Sequence, residues 1–324
     1  MLDHFATDEG ERTERYFSEM IRPGENKISS ASFSTLAEMR GKRSGVSLVG
    51  DHDTLVTLGM DGVIYDGCQR VEINLDGSEI LRAEAFIVKG IPQIEKGDDL
   101  GNIISELAKP ADGDIIVVAS TVVAKSEGRV LRLKDIGPGY EAERIARLNG
   151  EDPRFIQAVL DESEEILIEN PFLLVQTPAG HICVNAGIDR SNIREGFVIL
   201  LPEDPDGSAK NIRDSTGKHI AVIVSDTCGR PFRTGQTGIA IGCAGISAIK
   251  DWRGEKDLFG RELKVTREAI VDELAGFANL LMGEASGGTP VVIIRGIQWQ
   301  DSKEGIKSIY RTKEEDLIKK ALKK

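Results

Sequence analysis

The chain has 324 residues, 40% of them hydrophobic and 29% charged, with a formal net charge of -12. That is the composition of a globular protein large enough for a substantial core, and its acidity leaves no basic footprint for a nucleic-acid backbone or an anionic membrane surface. Four cysteines, Cys68, Cys183, Cys228 and Cys243, stand far apart with no C-x-x-C pair, and no apolar run approaches the ~20 residues of a membrane helix. Reduced thiols and a cytoplasmic location are expected.

In chain order, residues 1–80 are rich in Ser, Glu, Arg and Gly and lack sustained periodicity. DTLVTLG, GVIYDG and CQRVEINL are strand-like pieces within what otherwise reads as a loose N-terminal extension. From Leu81 to Lys324 the pattern is regular. FIVKG, IIVVAS (115–120), FLLVQT and HICVN around a PAG turn, FVILL, IAVIVSD and VVIIRG are short strands bounded by Gly, Pro or Asp. Helical spacing predicts helices over Tyr140 to Leu148, from Pro153 to about Glu165, from Thr266 through VDELAGFANLLM, and in the C-terminal KEEDLIKKALKK. Strands and helices mix without a βαβ alternation, and several strand pairs look like hairpins. The fold class is therefore α+β, with mixed sheets and flanking helices.

The chemistry gathers at strand ends. IAVIVSDTCGR places Asp226 and Thr227 at the close of a buried strand, ahead of an expected glycine turn and the arginines Arg230 and Arg233. Asp189 in VNAGIDRSN follows another apolar strand, and Glu284 lies in MGEASGGTP between helix and strand. Carboxylates with a Thr hydroxyl suit Mg²⁺ or Mn²⁺, which commonly hold substrate phosphates; the bland alternative for each acid is a turn former or helix cap. The small residues Gly283 to Gly288 would let backbone N–H groups approach a phosphate, or would simply join helix to strand. Ser120, Thr121 and Lys125 follow a strand and offer hydroxyls and an ammonium to an anion, although a solvated lysine is commoner. No G-x-x-x-x-G-K-[ST], G-x-G-x-x-G or H-E-x-x-H motif occurs.

Seven ordered motifs, GIPQIEKGDDL, STVVAKSEGR, CVNAGIDRSN, LPEDPDGSA, VSDTCGRPFRTG, DLFGRELKVT and FANLLMGE, resemble the archaeal coenzyme F420:L-glutamate ligase family over Leu81–Lys324. The resemblance implies a GTP-dependent enzyme that adds L-glutamate to the lactyl-phosphate carboxylate of the deazaflavin precursor F420-0 through an acyl phosphate, then a second glutamate by a γ-linkage. It also implies an intertwined homodimer, two divalent ions and a further K⁺. Carried over by position, metal ligands fall on Asp189, Asp226, Thr227 and Glu284, with Asp189 and Asp226 as the catalytic acids. Nucleotide contacts fall on Ile91, Pro92, Gln93, Ile94, Ser120, Thr121, Lys125, Asn192 and the loop Met282, Gly283, Glu284, Ala285, Ser286, Gly287, Gly288 and Thr289. Arg230 and Arg233 are candidates for substrate carboxylates. A ligase of the same fold for another phosphorylated acid, and a nucleotide-binding homologue without turnover, remain as alternatives. The family's chains begin near the first strand, so Leu81 is a candidate natural start, with residues 1–80 a gene-calling artefact; a genuine extension packing on the dimer is the competing expectation.

Overall fold

The structure, a computed structural model, describes residues 83–322 together with the backbone of four short strands before them. These are β1 (Val46–Val49), β2 (Leu55–Leu58), β3 (Ile64–Asp66) and β4 (Gln69–Val71), an antiparallel sheet in chain order. β2, β3 and β4 fall within DTLVTLG, GVIYDG and CQRVEINL, the pieces read as strand-like. The rest of the extension, and both expectations about its origin, lie outside the described residues. The chain divides into two compact units, Met1–Leu81 and Arg82–Lys324, and every predicted site residue belongs to the second.

In that unit the elements run β5 (Glu84–Ile87), α1 (Leu100–Ala108), β6 (Ile115–Ala119), α2 (Ser120–Glu127), β7 (Val130–Arg132), α3 (Tyr140–Asn149), α4 (Pro153–Asp161), β8 (Glu165–Ile168), β9 (Leu174–Gln176) and β10 (Ile182–Val184). There follow β11 (Phe197–Ile199), α5 (Pro205–Thr216), β12 (Ala221–Arg230), β13 (Arg233–Ala244), β14 (Lys250–Asp251), β15 (Arg267–Glu268), α6 (Ile270–Met282), β16 (Val291–Arg295) and α7 (Leu317–Leu322). The largest sheet has the order β13-β12-β6-β16-β5; only the β12–β6 pair is parallel. The expected α+β class with hairpins holds.

Strand β6 shows why this sheet is central. Its side chains alternate, so Ile116 and Val118 enter a core built with Ile104, Ile212 and Val123 of α1, α5 and α2. Ile115 and Val117 enter a second core on the other face, with Val271, Leu274, Ala275 and Ala278 of α6. A strand buried on both faces reads as an unbroken apolar run, which is what IIVV is. A third core joins α3 and α4 to Leu173, Val175, Ala186 and Ile188.

Several boundaries differ from the periodicity. α4 ends at Asp161 because the Ser163 hydroxyl bonds back to Val159 O and Glu165–Ile168 pairs with β9 instead. α6 begins at Ile270, since Arg267–Glu268 is held by Lys250–Asp251. β12 does not close at Asp226; it runs on to Arg230, Gly229 lies within it, and the turn is Pro231–Phe232. The C-terminal helix is short, Leu317–Leu322, and its acidic lead-in acts as a cap, Asp316 Oδ1 accepting from Lys319 N. Three helices are not predicted from the sequence, α1, α2 and α5; α2 is only weakly amphipathic, whereas α1 carries a clear apolar period that the sequence reading missed.

Candidate active site

VNAGIDRSN makes an unusual bend. Asn185, Ala186 and Gly187 have φ of 53°, 54° and 68°, three consecutive residues in the left-handed region, where each non-glycine costs about 1–2 kcal/mol. The bend is held from both sides: Asn185 N donates to Leu173 O, Ile188 N donates to Asn185 O, and Ala186, 1% exposed, is sunk in the third core. Gly187 is required here twice over, because a Cβ at this φ would also stand 2.6 Å from Leu201 Cδ1. The bend delivers Asp189 into a two-bond bridge with Ile199, 2.9 Å each way. Its carboxylate then accepts from Ser191 N and Ser191 Oγ, both at 2.7 Å.

Asp226 is the centre of the site. β6 ends at Ala119 and α2 starts at once, so Ser120 Oγ, in the first turn of α2, donates to Asp226 Oδ1 at 2.7 Å. Asp226 is half-buried, and burial raises its pKa to about 6; hydrogen bonds from Ser120 and the Thr227 N–H oppose the rise, and the charges of Asp189 and Glu284 add to it. Asp189 and Glu284 therefore lie near enough for their charges to act on Asp226. Thr227 Oγ1 donates to Glu284 Oε1 at 3.1 Å, and Asn279 Nδ2 donates to the same oxygen at 2.8 Å, which fixes the loop after α6 against β12. Cys183 lies beneath, its thiol pushed well up by burial and by Asp226.

The predicted residues fall in two places joined by two connectors. Asp226, Ser120, Thr227, Glu284 and Asp189 make the acidic place. Gln93, Ile94, Lys125 and Asn192 line a cleft of about 770 Å³. α2 connects the two, with Ser120 at one end and Lys125 further along, and so does the segment from Asp189 to Asn192. Lys125 Nζ donates to Asn192 O at 2.9 Å, and Asn192 itself has φ 49°. The cleft is completed by Glu95, Val130, Ile193, Arg194 and Phe197, none of which is singled out in the sequence, although Glu95 lies within the motif GIPQIEKGDDL, Val130 directly follows STVVAKSEGR, and Ile193 and Arg194 come just after CVNAGIDRSN. Asn279 and Ser191 are likewise recognisable only once their partners are in place.

Other candidates lie apart. Ile91 packs on the first core and Pro92 is exposed. Thr121 is half-buried in α2. Met282 ends α6 and accepts from Thr289 Oγ1 at 3.0 Å, which closes the exposed loop Gly283 to Gly288; Ala285, Ser286 and Gly287 line no part of the cleft. Arg230 and Arg233 pair at the tip of the β12–β13 hairpin, roughly 13 Å beyond Asp226 along the strand, and neither forms an ion pair among the described residues.

The donor set tests the implied cation. Carboxylates with a threonine hydroxyl are hard oxygen ligands, and among the described residues no cationic side chain pairs with Asp226, so the residues fit Mg²⁺ or Mn²⁺. Among the described residues, however, no three His, Cys, Asp or Glu side chains are gathered tightly enough to form a ready metal cluster. Glu284 is turned to Thr227 and Asn279, and Asp189 to Ser191.

The site is thus a mixed-sheet α+β unit with Asp226 held by Ser120 at a strand-to-helix junction, under the charges of Asp189 and Glu284, and beside it a cleft lined by lysine and arginine. The F420-0:Gamma-glutamyl ligase family profile matches residues 90–296, and the chain belongs to that family. It is 50% identical over 248 residues to the coenzyme F420:L-glutamate ligase of Archaeoglobus fulgidus, covering 75% of this chain and 99% of the relative. The enzymes of that name from Methanosarcina barkeri, 55% identical over 247 residues, and Halorubrum lacusprofundi, 51% over 245, are covered to 97% each. Among the described residues no helix is long and apolar enough to cross a membrane.

Proposed function

We propose that the protein is a GTP-dependent ligase that joins L-glutamate to the carboxylate of coenzyme F420-0, and then a second glutamate through a γ-linkage. One observation carries this reading: the Ser120–Asp226 junction, where the N-terminus of α2 meets the acids Asp189 and Glu284. A carboxylate is a poor electrophile, so the γ-phosphoryl of GTP passes to an acceptor oxygen, giving GDP and an acyl phosphate. The glutamate amine attacks the acyl carbon, inorganic phosphate leaves and the amine loses a proton. Phosphoryl transfer of this kind rests on positioning and charge neutralisation.

Asp189, Asp226, Thr227 and Glu284 would hold two divalent ions, Mg²⁺ or Mn²⁺, which neutralise phosphate charge when bound; K⁺ is a further candidate. The N–H groups of Ser120 and Thr121 favour a phosphate at the head of α2, and Lys125 with Asn192 fixes the nucleotide. Arg230 and Arg233, which form no ion pair among the described residues, would reach the substrate carboxylates of a second copy. An intertwined homodimer also accounts for the bare apolar side chains Phe232, Leu258, Phe259 and Val265, 99%, 102%, 87% and 85% exposed. GDP release that requires both F420-0 and glutamate, with mass spectrometry of the product, tests the reading. Release with another phosphorylated acid, but not F420-0, would overturn the acceptor assignment.

A further inference from the structure

Two charged side chains of the cleft have no partner among the described residues. Glu95 and Arg194 both line it, their side chains form no hydrogen bond or ion pair among the described residues, and they do not pair with each other. Opposite charges facing one cavity without meeting suit a ligand that offers acceptors to one side and donors to the other.

The cleft also has a direction. α2 presents its first N–H groups at the acids and Lys125 five residues later, roughly 7.5 Å along its axis at 1.5 Å per residue. A nucleotide laid along α2 with its phosphates at the acids extends its base towards Glu95 and Arg194. The apolar groups there, Val130, Ile193 and Phe197, suit the faces of a flat ring, and Phe197 is backed by Arg132, whose guanidinium carbon lies 5.7 Å from the ring centroid.

Guanine presents O6 and N7 as acceptors on one side, a pair that arginine reads bidentately, and N1–H and N2–H₂ as donors on the other, which a carboxylate accepts. Adenine places an N6–H₂ donor where O6 stands and a lone pair at N1, so it would repel both residues. We propose that this cleft is the base subsite, with Arg194 reading O6 and N7 and Glu95 reading N1–H and N2–H₂, and that these two residues set the preference for guanine over adenine. The inference rests on the GTP-dependent reading above.

The test compares GTP, ITP, which lacks the 2-amino group, and ATP as competitors of a fluorescent GTP analogue on the full chain. The parent should bind GTP more tightly than ITP. Glu95→Ala should abolish that difference, a loss of roughly ten- to hundredfold in the GTP:ITP ratio. Arg194→Met should weaken GTP and ITP together and leave ATP nearly unchanged. Both residues are exposed, so the variants should fold. A Glu95→Ala ratio equal to the parent's, or unaltered GTP binding in Arg194→Met, overturns the assignment, as does a parent that binds the three nucleotides alike. A parent that prefers GTP to ITP but releases no glutamate-dependent GDP would sink the ligase reading and leave the base subsite standing.

Discussion

Asp226 shows how one side chain can be unfavourable for the fold and favourable for function. Its pKa, raised to about 6 chiefly by burial, means that folding disfavours its charged form near neutral pH. Asp226→Asn removes that charge while keeping the Ser120 partner. The expected outcome is loss of glutamate addition with a melting temperature equal to or above the parent's, measured by GDP release and scanning calorimetry; parental turnover at saturating Mn²⁺ would refute the ligand role. Lys125 is the converse case, a cation whose one side-chain bond among the described residues goes to a backbone carbonyl. Lys125→Ala should raise the KM for GTP by roughly ten- to hundredfold with little change in kcat, the size of a lost bond to a charged group. An unchanged KM would make it a solvated surface residue.

At the scale of elements, β13 is flanked closely by helix backbone at two of its glycines. A Cβ at Gly242 would stand 2.4 Å from the Pro205 carbonyl carbon at the head of α5, and one at Gly238 would stand 2.6 Å from Ala275 O in α6. Backbone on both faces cannot yield as a flexible side chain can. Gly242→Ala and Gly238→Ala should each destabilise the protein by about 2–3 kcal/mol, read from urea unfolding midpoints; a shift under ~0.5 kcal/mol would show that the helices move aside. The two prolines that open α4 and α5 follow capping aspartates, Asp152 accepting from Arg154 N and Asp204 from Gly207 N. That shared signature, in EDPRF and EDPDG, locates both helix starts, although only the first also carries a strong apolar period.

For the whole unit, acid sensitivity follows from His181, 5% exposed with no hydrogen-bond partner for Nε2 among the described residues. Burial lowers its pKa from 6.5 to about 4. The unfolded chain therefore takes up the proton first. The stability contributed by neutral His181 is complete above pH 6.5 and is lost as pH falls towards 4, on the order of 3 kcal/mol. Denaturant unfolding of the parent between pH 7 and 4 should show this slope, and His181→Leu should flatten it; an equal slope in both would assign the loss to other groups. The proposed dimer is tested by light scattering: Phe232→Ser with Leu258→Ser should halve the mass in solution, whereas a parent already monomeric would remove that reading.

The sequence alone determined what depends on near neighbours and on composition. Buried strands announced themselves as unbroken apolar runs, amphipathic α3 and α4 by their period, and the acids by standing after such strands, so Asp189, Asp226 and Glu284 could be named before any coordinate was known. Tertiary structure decided the rest, because it depends on partners far along the chain. Ser120 meets Asp226 across 106 positions and Lys125 meets Asn192 across 67. α2 carries too little amphipathicity to be read as a helix and takes its form from its place between β6 and the first core. The charges of Glu95 and Arg194 look like ordinary surface until the chain folds their two loops to line one cleft. The left-handed bend at Asn185–Gly187 goes against local preference, and only the core that buries Ala186 makes it stable enough to hold Asp189 where it stands.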